Sequence, residues 1–566
     1  MARLWVGLIL AGAVGGCAVG PNYHTPEARV PANWSGPTPT VATTQPGAPT
    51  TQPGAPPTQP TNLATWWEAL NDPALDDLVA QAVQANFDLQ VAAARVREAR
   101  ALRDVAAADF WPQFNFGAGY TYSGSSENVG PSASGGGAGP LRSLLTPPTV
   151  SLRPGSGSTG ATATITPQRI TVGGNRRPSV TVQPGSFSIP SGASPPTVSI
   201  GPGAGAAAQV SRQQNLFQLG FDATWELDVF GGTRRAVEAT EADLAAAENG
   251  HRDVLVTLIS EVALNYVQLR GAQRRLAIAE ENIAAQSDTF AVTRDRHRAG
   301  FTNELDVTQA AAQLATTQSQ VPLLETAIRQ AIYQLSVLLG EPPGTLVDQL
   351  DRAAPLPANP PAVPLGMPSD LLRRRPDVRA AERQLAAATA RVGVATADLF
   401  PKFNLSGSFG PQVSDFRHIL DARSLAWSIG PGVNWSIFDG GRIRANIQVQ
   451  DARQEEALAT YEQTVLTALQ DVENALVAYT SELKRHGALS EAVASNQKSV
   501  ELSNDLYVRG LGAFLNVLDS ERNLYASQDQ LVQSETTAIT NLISLYKALG
   551  GGWDAPDEMP ADSGGY

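Results

Sequence analysis

The chain has few of the side chains that disulfides and metal sites require. Its 566 residues include one cysteine, Cys17, which excludes an intrachain disulfide and a cage of thiolate ligands. The five histidines are His24, His251, His297, His418 and His486. No two of them have the i, i+4 spacing of a helical zinc site. We therefore expect no metal cofactor.

Charged and large side chains are also scarce. Charged residues make up 17% of the chain and aromatic residues 6%, whereas alanine is frequent wherever the pattern is helical. This composition favours long helices that pack closely along their length. The net charge of −13 argues against nucleic acid as a partner, because phosphate binding needs clustered Lys and Arg. No phosphate-binding loop or Ser/His/Asp constellation can be placed, so we expect that the protein is not an enzyme.

The N-terminus has the pattern of a signal peptide that ends at Cys17. Residues 1–16 contain one basic residue, Arg3, and the apolar run 4–14, which is too short to span ~30 Å of membrane hydrocarbon. The sequence Val-Gly-Gly-Cys resembles the bacterial lipobox, in which cleavage leaves a lipid-bearing cysteine at the mature N-terminus. We expect a covalent lipid on Cys17 and no other cofactor. The alternative is an ordinary signal peptide with an incidental cysteine.

The chain contains two copies of one unit. Without a gap, residues 105–120 align with 394–409, and residues 300–340 align with 510–550, which indicates internal duplication. The predicted organisation is a signal peptide at 1–16, a lipidated Pro-rich tether at 17–63, a first repeat at 64–340 with an external loop insertion at 123–214, a connector at 341–368, a second repeat at 369–552 and a tail at 553–566.

Each copy contains two segments in which apolar and polar residues alternate. They are 113–122, 217–227, 403–409 and 427–437. Alternation over about ten residues, with aromatic residues at the ends, predicts transmembrane β-strands. The alternative is a soluble antiparallel sheet with one solvent-exposed face. Four strands cannot close a barrel, so the chain must assemble with copies of itself. Two copies would give eight strands, and three would give twelve and room for a pore.

The remainder of each copy has helical patterns. Seven-residue apolar spacing, which predicts supercoiled helical hairpins, runs from Val307 to Leu335 and again from Val517 to Leu545. Residues 232–297 predict one helix of about 100 Å. Pro322, where the second copy has Val532, predicts a kink or a helix start. We interpret Arg373, Arg374 and Arg375 as a solvated first turn.

Five motifs together resemble the TolC-like outer membrane factors, in their lipidated NodT and OprM branch, which serves resistance-nodulation-division (RND) efflux pumps. The motifs are GPNYHTP with VPANW (20–34), WWEALNDPALDDLV (66–79), DLLRRRPDVRAAERQL (370–385), FDGGRIRANI (438–447) and SLYKALGGGW (544–553). The resemblance implies an α+β membrane protein: a trimeric 12-stranded outer membrane β-barrel, four strands per chain, continued by a long α-helical coiled-coil periplasmic tunnel. This implied fold, with four strands in each chain, agrees with the strand count from the alternating segments and includes the internal two-fold repeat.

The resemblance also implies a function, a location and partners. The expected function is that of the outer membrane channel in a tripartite efflux system, a passive conduit that exports drugs or other toxic small molecules. The partners would be two further copies of the chain in a homotrimer, a periplasmic adaptor protein, an inner membrane RND pump and outer membrane lipid. The location would be the outer membrane of a Gram-negative bacterium, with a periplasmic extension. The alternatives are a type I protein-secretion channel and a structural envelope lipoprotein that does not conduct.

By the same resemblance, a gate closes the periplasmic end where the two helical hairpins turn. The positions that match the family's gate residues are Asp306, Tyr507, Asn516 and Asp519. Asn516 departs from the aspartate often found there, which weakens an ionic lock. The alternative for Asp306 and Asp519 is that they are helix N-terminal carboxylates, which complement the helix dipole.

The lipid assignment gives a direct prediction. Replacing Cys17 by Ser should abolish labelling of the protein with radioactive palmitate, because the thiol is the expected site of attachment. The matched variant Ala18→Ser should keep the label. Undiminished labelling of Cys17→Ser would show that the lipid is attached elsewhere, and a native protein without label would show that the lipid is absent.

Overall fold

The computed structural model describes residues 18–26, 30–31, 33–35, 63–124, 213–357 and 367–553. The predicted signal peptide, Cys17, most of the 123–214 insertion and nearly all of the 553–566 tail lie outside these residues. The chain divides into two compact units. One contains the strands and the other contains nearly all of the helices, and each is described separately below.

The four predicted strands form one antiparallel sheet in the order β1-β2-β3-β4. They are β1 (Gln113–Gly124), β2 (Gln213–Leu227), β3 (Lys402–Val413) and β4 (Leu425–Asn434). The register places Phe116 opposite Phe221, Phe221 opposite Phe409, and Phe409 opposite Trp427. These four rings form a row across one face, and each is more than half exposed. The apolar alternation therefore gives a sheet with an exposed apolar face.

The fourth strand is shorter than predicted. It ends at Asn434, which pairs with Lys402 at the start of β3, so Trp435 and Ile437 are not strand residues. The indole N–H of Trp435 instead donates to the carbonyl of Leu399, at 3.0 Å. The strand ends there because its partner strand begins there.

The helical unit has helices of very unequal length. They are α1 (Pro73–Ala85), α2 (Phe87–Ala108), α3 (Gly232–Arg298), α4 (Glu304–Gln318), α5 (Val321–Leu338), α6 (Val347–Leu350), α7 (Leu371–Arg374), α8 (Pro376–Ala397), α9 (Arg442–Val508) and α10 (Phe514–Ala548). Both α3 and α9 have 67 residues, and both α2 and α8 have 22. Across the described part of the chain, no helix combines the length and the apolar character needed to cross a membrane.

The long helices start and break where the sequence predicts. Gly231 and Gly441, the residues before α3 and α9, have φ values of 80° and 89°, which glycine adopts without strain. Pro322 lies in the first turn of α5, so the predicted helix start is confirmed. Val532, in the second copy, continues α10 without a break.

The largest apolar core joins α1, α3, α5 and α10. The Trp66 ring stacks on Tyr546 at 5.2 Å between centroids, and both side chains are fully buried. The Tyr266 hydroxyl donates to Asp72 at 2.7 Å, and burial raises the pKa of Tyr266 to about 12. Asp72 also caps α1 by accepting from the backbone N–H of Ala74. The WWEALNDP motif is therefore a core and capping element.

The first residues after Cys17 are held by the helices. The buried Arg235 guanidinium donates to the carbonyl of Val19 at 3.2 Å and to the side chain of Asn22 at 2.6 Å. The Tyr23 hydroxyl donates to Glu382 at 3.1 Å. The start of the predicted tether is thus bound, although it has no helix or strand.

The interpretation of the three arginines as solvated is wrong for Arg375. Only 11% of its side chain is exposed, and its guanidinium pairs with Asp377 at 2.6 Å and with Asp471 at 3.1 Å. It also donates to the carbonyl of Ala548 at 3.1 Å. Arg375 therefore ties α8 to α9 and α10, and its fork of donors satisfies three acceptors at once.

Candidate functional site at the hairpin tips

The candidate site lies where the two helical hairpins turn. In the first hairpin, α3 ends at Arg298 and α4 begins at Glu304; in the second, α9 ends at Val508 and α10 begins at Phe514. The Asn303 side chain caps α4 by accepting from the backbone N–H of Asp306, at 2.9 Å.

Tyr507 is the predicted gate residue that connects the hairpins. Its side chain is 4% exposed and lies 5.5 Å, between ring centroids, from Phe514. The guanidinium of Arg296, from the first hairpin, lies 4.7 Å above the Tyr507 ring and donates to the carbonyl of Val508 at 3.1 Å. A cation over a desolvated ring is an attractive contact of about 1–2 kcal/mol. The tips are thus joined by Arg296, which sequence reasoning missed.

Two polar groups in the contact between the tips lack hydrogen-bond partners. The Tyr507 hydroxyl and the Nε of Arg296 are both buried, and neither finds a hydrogen-bond partner in the described residues. Buried polar groups without partners favour an arrangement in which they become solvated. The contact between the tips therefore combines a cation over an aromatic ring with two buried polar groups that gain from exposure to water.

The other predicted gate residues do not meet Tyr507. The carboxylate of Asp306 accepts from the Thr302 hydroxyl within its own turn, in the first turn of α4. Asn516 and Asp519 are exposed on α10. Within one chain, Asp306 thus occupies the helix N-terminal position that the alternative described, whereas Asp519 lies beyond the first turn of α10, so the alternative is wrong for Asp519. The gate role of these carboxylates stays a prediction.

A polar seam continues from the tips along the two hairpins. On α3, Arg275, Asn282, Thr289 and Arg296 recur at intervals of seven residues and each contacts the second hairpin. The contacts before Arg296 are Arg275 to Asp529 at 2.6 Å, Asn282 to Gln528 at 3.0 Å and Thr289 to Glu521 at 2.7 Å. Arg522 adds a bond to Gln313 of α4, at 2.7 Å. The heptad spacing of these polar residues was the signal that could have located the seam.

The seam contains one carboxyl group that resists ionisation. Burial raises the pKa of Glu521, and the hydrogen bond from Thr289 offsets only part of that shift. The pKa of Glu521 is higher in the folded protein than in the unfolded chain. Its contribution to stability is therefore complete at a pH below the pKa of the unfolded chain. That contribution is lost as the pH rises through the folded pKa.

This gives a pH-dependent prediction. Glu521→Gln should raise the thermal unfolding midpoint at neutral pH, because the amide accepts the bond from Thr289 without a buried charge. The gain should disappear below about pH 4, near the ordinary glutamate pKa, where the native side chain is also neutral. Glu501→Gln, at an exposed surface pair with Lys498, is the matched control. A gain that did not vary with pH would contradict this assignment.

Comparison with known proteins agrees with the arrangement of strands and long helices. Residues 78–186, 194–341 and 367–551 match the family described as Outer membrane efflux protein. The solvent efflux pump outer membrane protein SrpC of Pseudomonas putida is 30% identical over 541 residues, which are 95% of this chain and 96% of that protein. Nodulation protein T of Rhizobium leguminosarum bv. trifolii is 29% identical over 534 residues, which are 94% of this chain and 93% of that protein.

A solved structure extends the likeness to the fold. The structure of the outer-membrane channel OprN is 32% identical in sequence and superposes with a TM-score of 0.73, covering 95% of this chain and 100% of that chain. The chain belongs to the outer membrane efflux protein family.

Proposed function

We propose that three copies of this chain form the outer membrane channel of a tripartite efflux system. The channel is a passive conduit that exports drugs or other toxic small molecules to the cell exterior and catalyses no reaction. The solvent efflux named for SrpC, and the pyoverdine export named for the relative OpmQ of Pseudomonas aeruginosa, support small molecules as the cargo.

The observation that carries this proposal is a sheet with two open edges. Among the described strands, β1 and β4 each pair on one side only. In a membrane, unpaired backbone groups cost several kcal/mol each, so the edges must be joined to other strands. Three copies supply twelve strands, which leaves a pore, and a ring of copies also explains the exposed apolar face as lipid-facing.

The proposal includes the channel's surroundings. A lipid on Cys17 would anchor the chain in the outer membrane, and the long helices would continue the barrel through the periplasm as a coiled-coil tunnel. Because this chain supplies no energy source, export must be driven by an inner membrane RND pump that reaches the channel through a periplasmic adaptor protein.

Two measurements test the function. Deleting the gene should make cells more sensitive to several unrelated toxic compounds, and the purified protein should give discrete conductance steps in planar bilayers. Loss of secretion of a single protein, without any change in sensitivity, would favour a type I secretion channel. Absence of conductance steps from the intact oligomer would indicate a structural role.

The gate, in this proposal, is the contact between the hairpin tips. Arg296 and Tyr507 hold the tips together, and the polar seam behind them can exchange its bonds for bonds to water when they part. Asp306 follows Arg296 in the first hairpin, and Asp519 follows Tyr507 in the second. Both carboxylates would act between copies around the pore.

The gate predicts a larger conductance when the tip contact is removed. Arg296→Met should increase single-channel conductance or open probability, because it removes the cation over Tyr507 and the bond to Val508. Arg298→Met is the matched control, since that side chain is 69% exposed and, among the residues the structure describes, pairs with Asp295 of its own helix alone. If Arg296→Met and the pair Asp306→Ala and Asp519→Ala all conduct as the native channel does, the gate lies elsewhere.

A further inference from the structure

Two cationic side chains meet at Trp553, which follows α10 and is the last described residue. The guanidinium of Arg252, on α3, lies 5.2 Å from the centre of the Trp553 ring, and that of Arg379, on α8, lies 5.6 Å from it. The indole N–H donates to the carbonyl of Arg374 at 3.1 Å, which holds the ring in place. Because a cation is attracted to an aromatic face, Trp553 brings together one arginine from each repeat.

Neither arginine is paired with a carboxylate among the residues that the structure describes. Arg252 donates to the side-chain oxygen of Asn249 at 2.9 Å. For Arg379, the side-chain contact that the structure gives is the Trp553 ring. The carboxylate of Glu382, on the same helix, is bound by Arg383 at 2.9 Å. The two guanidinium groups at Trp553 therefore have positive charge that no acidic group of the described chain neutralises by direct contact.

The surroundings of Arg379 make an anion favourable there. Burial, and then the positive charges of Arg252 and Arg383, lower the pKa of Arg379. An arginine nevertheless stays charged at neutral pH, so the repulsion between these groups persists. A carboxylate would relieve that repulsion, and partial burial makes its attraction stronger than at a fully exposed arginine.

The chain that continues from Trp553 is acidic. Residues 554–566, which we call the acidic segment, lie outside the described residues. They contain no Lys, Arg or His, and they have four carboxylate side chains: Asp554, Asp557, Glu558 and Asp562. Because a chain spans at most ~3.6 Å per residue, the Cα atoms of the first three lie within about 18 Å of that of Trp553.

We propose that the acidic segment binds back on α3 and α8, with its first carboxylates paired to Arg252 and Arg379. The occupant of this cationic site is thus a part of the same chain, and it joins a helix of the first repeat to a helix of the second. This inference goes beyond the proposed function and does not depend on the trimer, since all of its groups belong to one chain.

The chemistry of arginine allows both contacts at once. The face of a guanidinium can lie on an aromatic ring while the N–H groups at its edge bind a carboxylate in the same plane. Trp553 therefore orients the two arginines without using the groups that bind the acidic segment. The covalent link from Trp553 to Asp554 also places the first carboxylate next to both cations, which reduces the entropy lost on binding.

Proteolysis of the full-length protein in detergent tests this binding. Endoproteinase Glu-C cuts after glutamate, and Glu558 is the one glutamate in the acidic segment. The double variant Arg252→Gln and Arg379→Gln should be cut at Glu558 about tenfold faster than the native protein, because the segment is released. Arg485→Gln is the matched control, since this arginine pairs with Glu482 on α9, and it should be cut at the native rate.

A second set of variants changes the acidic segment and leaves the helices intact. Asp554→Asn with Asp557→Asn should give the same faster cleavage, after division by the rate for a free peptide of the same sequence. Reversing one pair, with Arg379→Asp and Asp557→Arg together, should return the rate to within about twofold of the native value. If the arginine variants are also cut within α3 or α8, they have unfolded, and the segment variants decide.

Two outcomes would overturn the proposal. Native cleavage rates in the segment variants, with or without native rates in the arginine variants, would show that the acidic segment is not bound at Trp553. Faster cleavage in the arginine variants alone would show that the arginines bind a different anion. Either failure leaves the proposed channel intact, because conductance steps in planar bilayers test that function separately.

Discussion

Hydrogen bonding at the edges of a four-stranded sheet is the constraint on which the rest of this protein depends. A strand at membrane depth has no water to satisfy its backbone, so β1 and β4 need further strands on their open sides. The chain does not supply them from its described residues. In the proposed trimer, identical copies meet this need, and the lipid around them accounts for the exposed apolar row through Phe221 and Phe409.

The helical unit joins its parts with two kinds of contact, and the difference has mechanical consequences. Around Trp66, Tyr266 and Tyr546 the contact is apolar, and separating it would cost about 25 cal/mol for each Å² exposed. Between the hairpins, from Arg275 to Arg296, polar contacts run along the helices, and the apolar cluster around Tyr507 and Phe514 has only five buried residues. Water can replace the lost polar partners at a small net cost. This contrast favours movement at the tips over movement at the core. The proposed gate uses this contrast, because the tips can part while the apolar core stays folded.

The corresponding helices α2 and α8, and α3 and α9, keep the same lengths in the two copies of the repeat and differ in chemistry. Arg235 in the first copy holds the segment after Cys17, whereas its counterpart in the second copy is Ala445. Pro322 divides α4 from α5, whereas Val532 lets α10 run on. Duplication thus accounts for the equal lengths of these helices, and substitutions at single positions give each copy its own contacts.

The sequence by itself determined the approximate places of the four strands, the long helices, the repeat and a break in the helical pattern at Pro322, because these follow from local periodicity, from glycine and proline, and from self-similarity. It also carried enough specific motifs to identify the family. The tertiary structure alone decided that Arg375 is a buried hub, that the segment after Cys17 is bound, and that Tyr507 meets Arg296 and not the predicted carboxylates. Those outcomes depend on which segments face each other across 96 residues of chain or more, and a local pattern has no information about such distant partners.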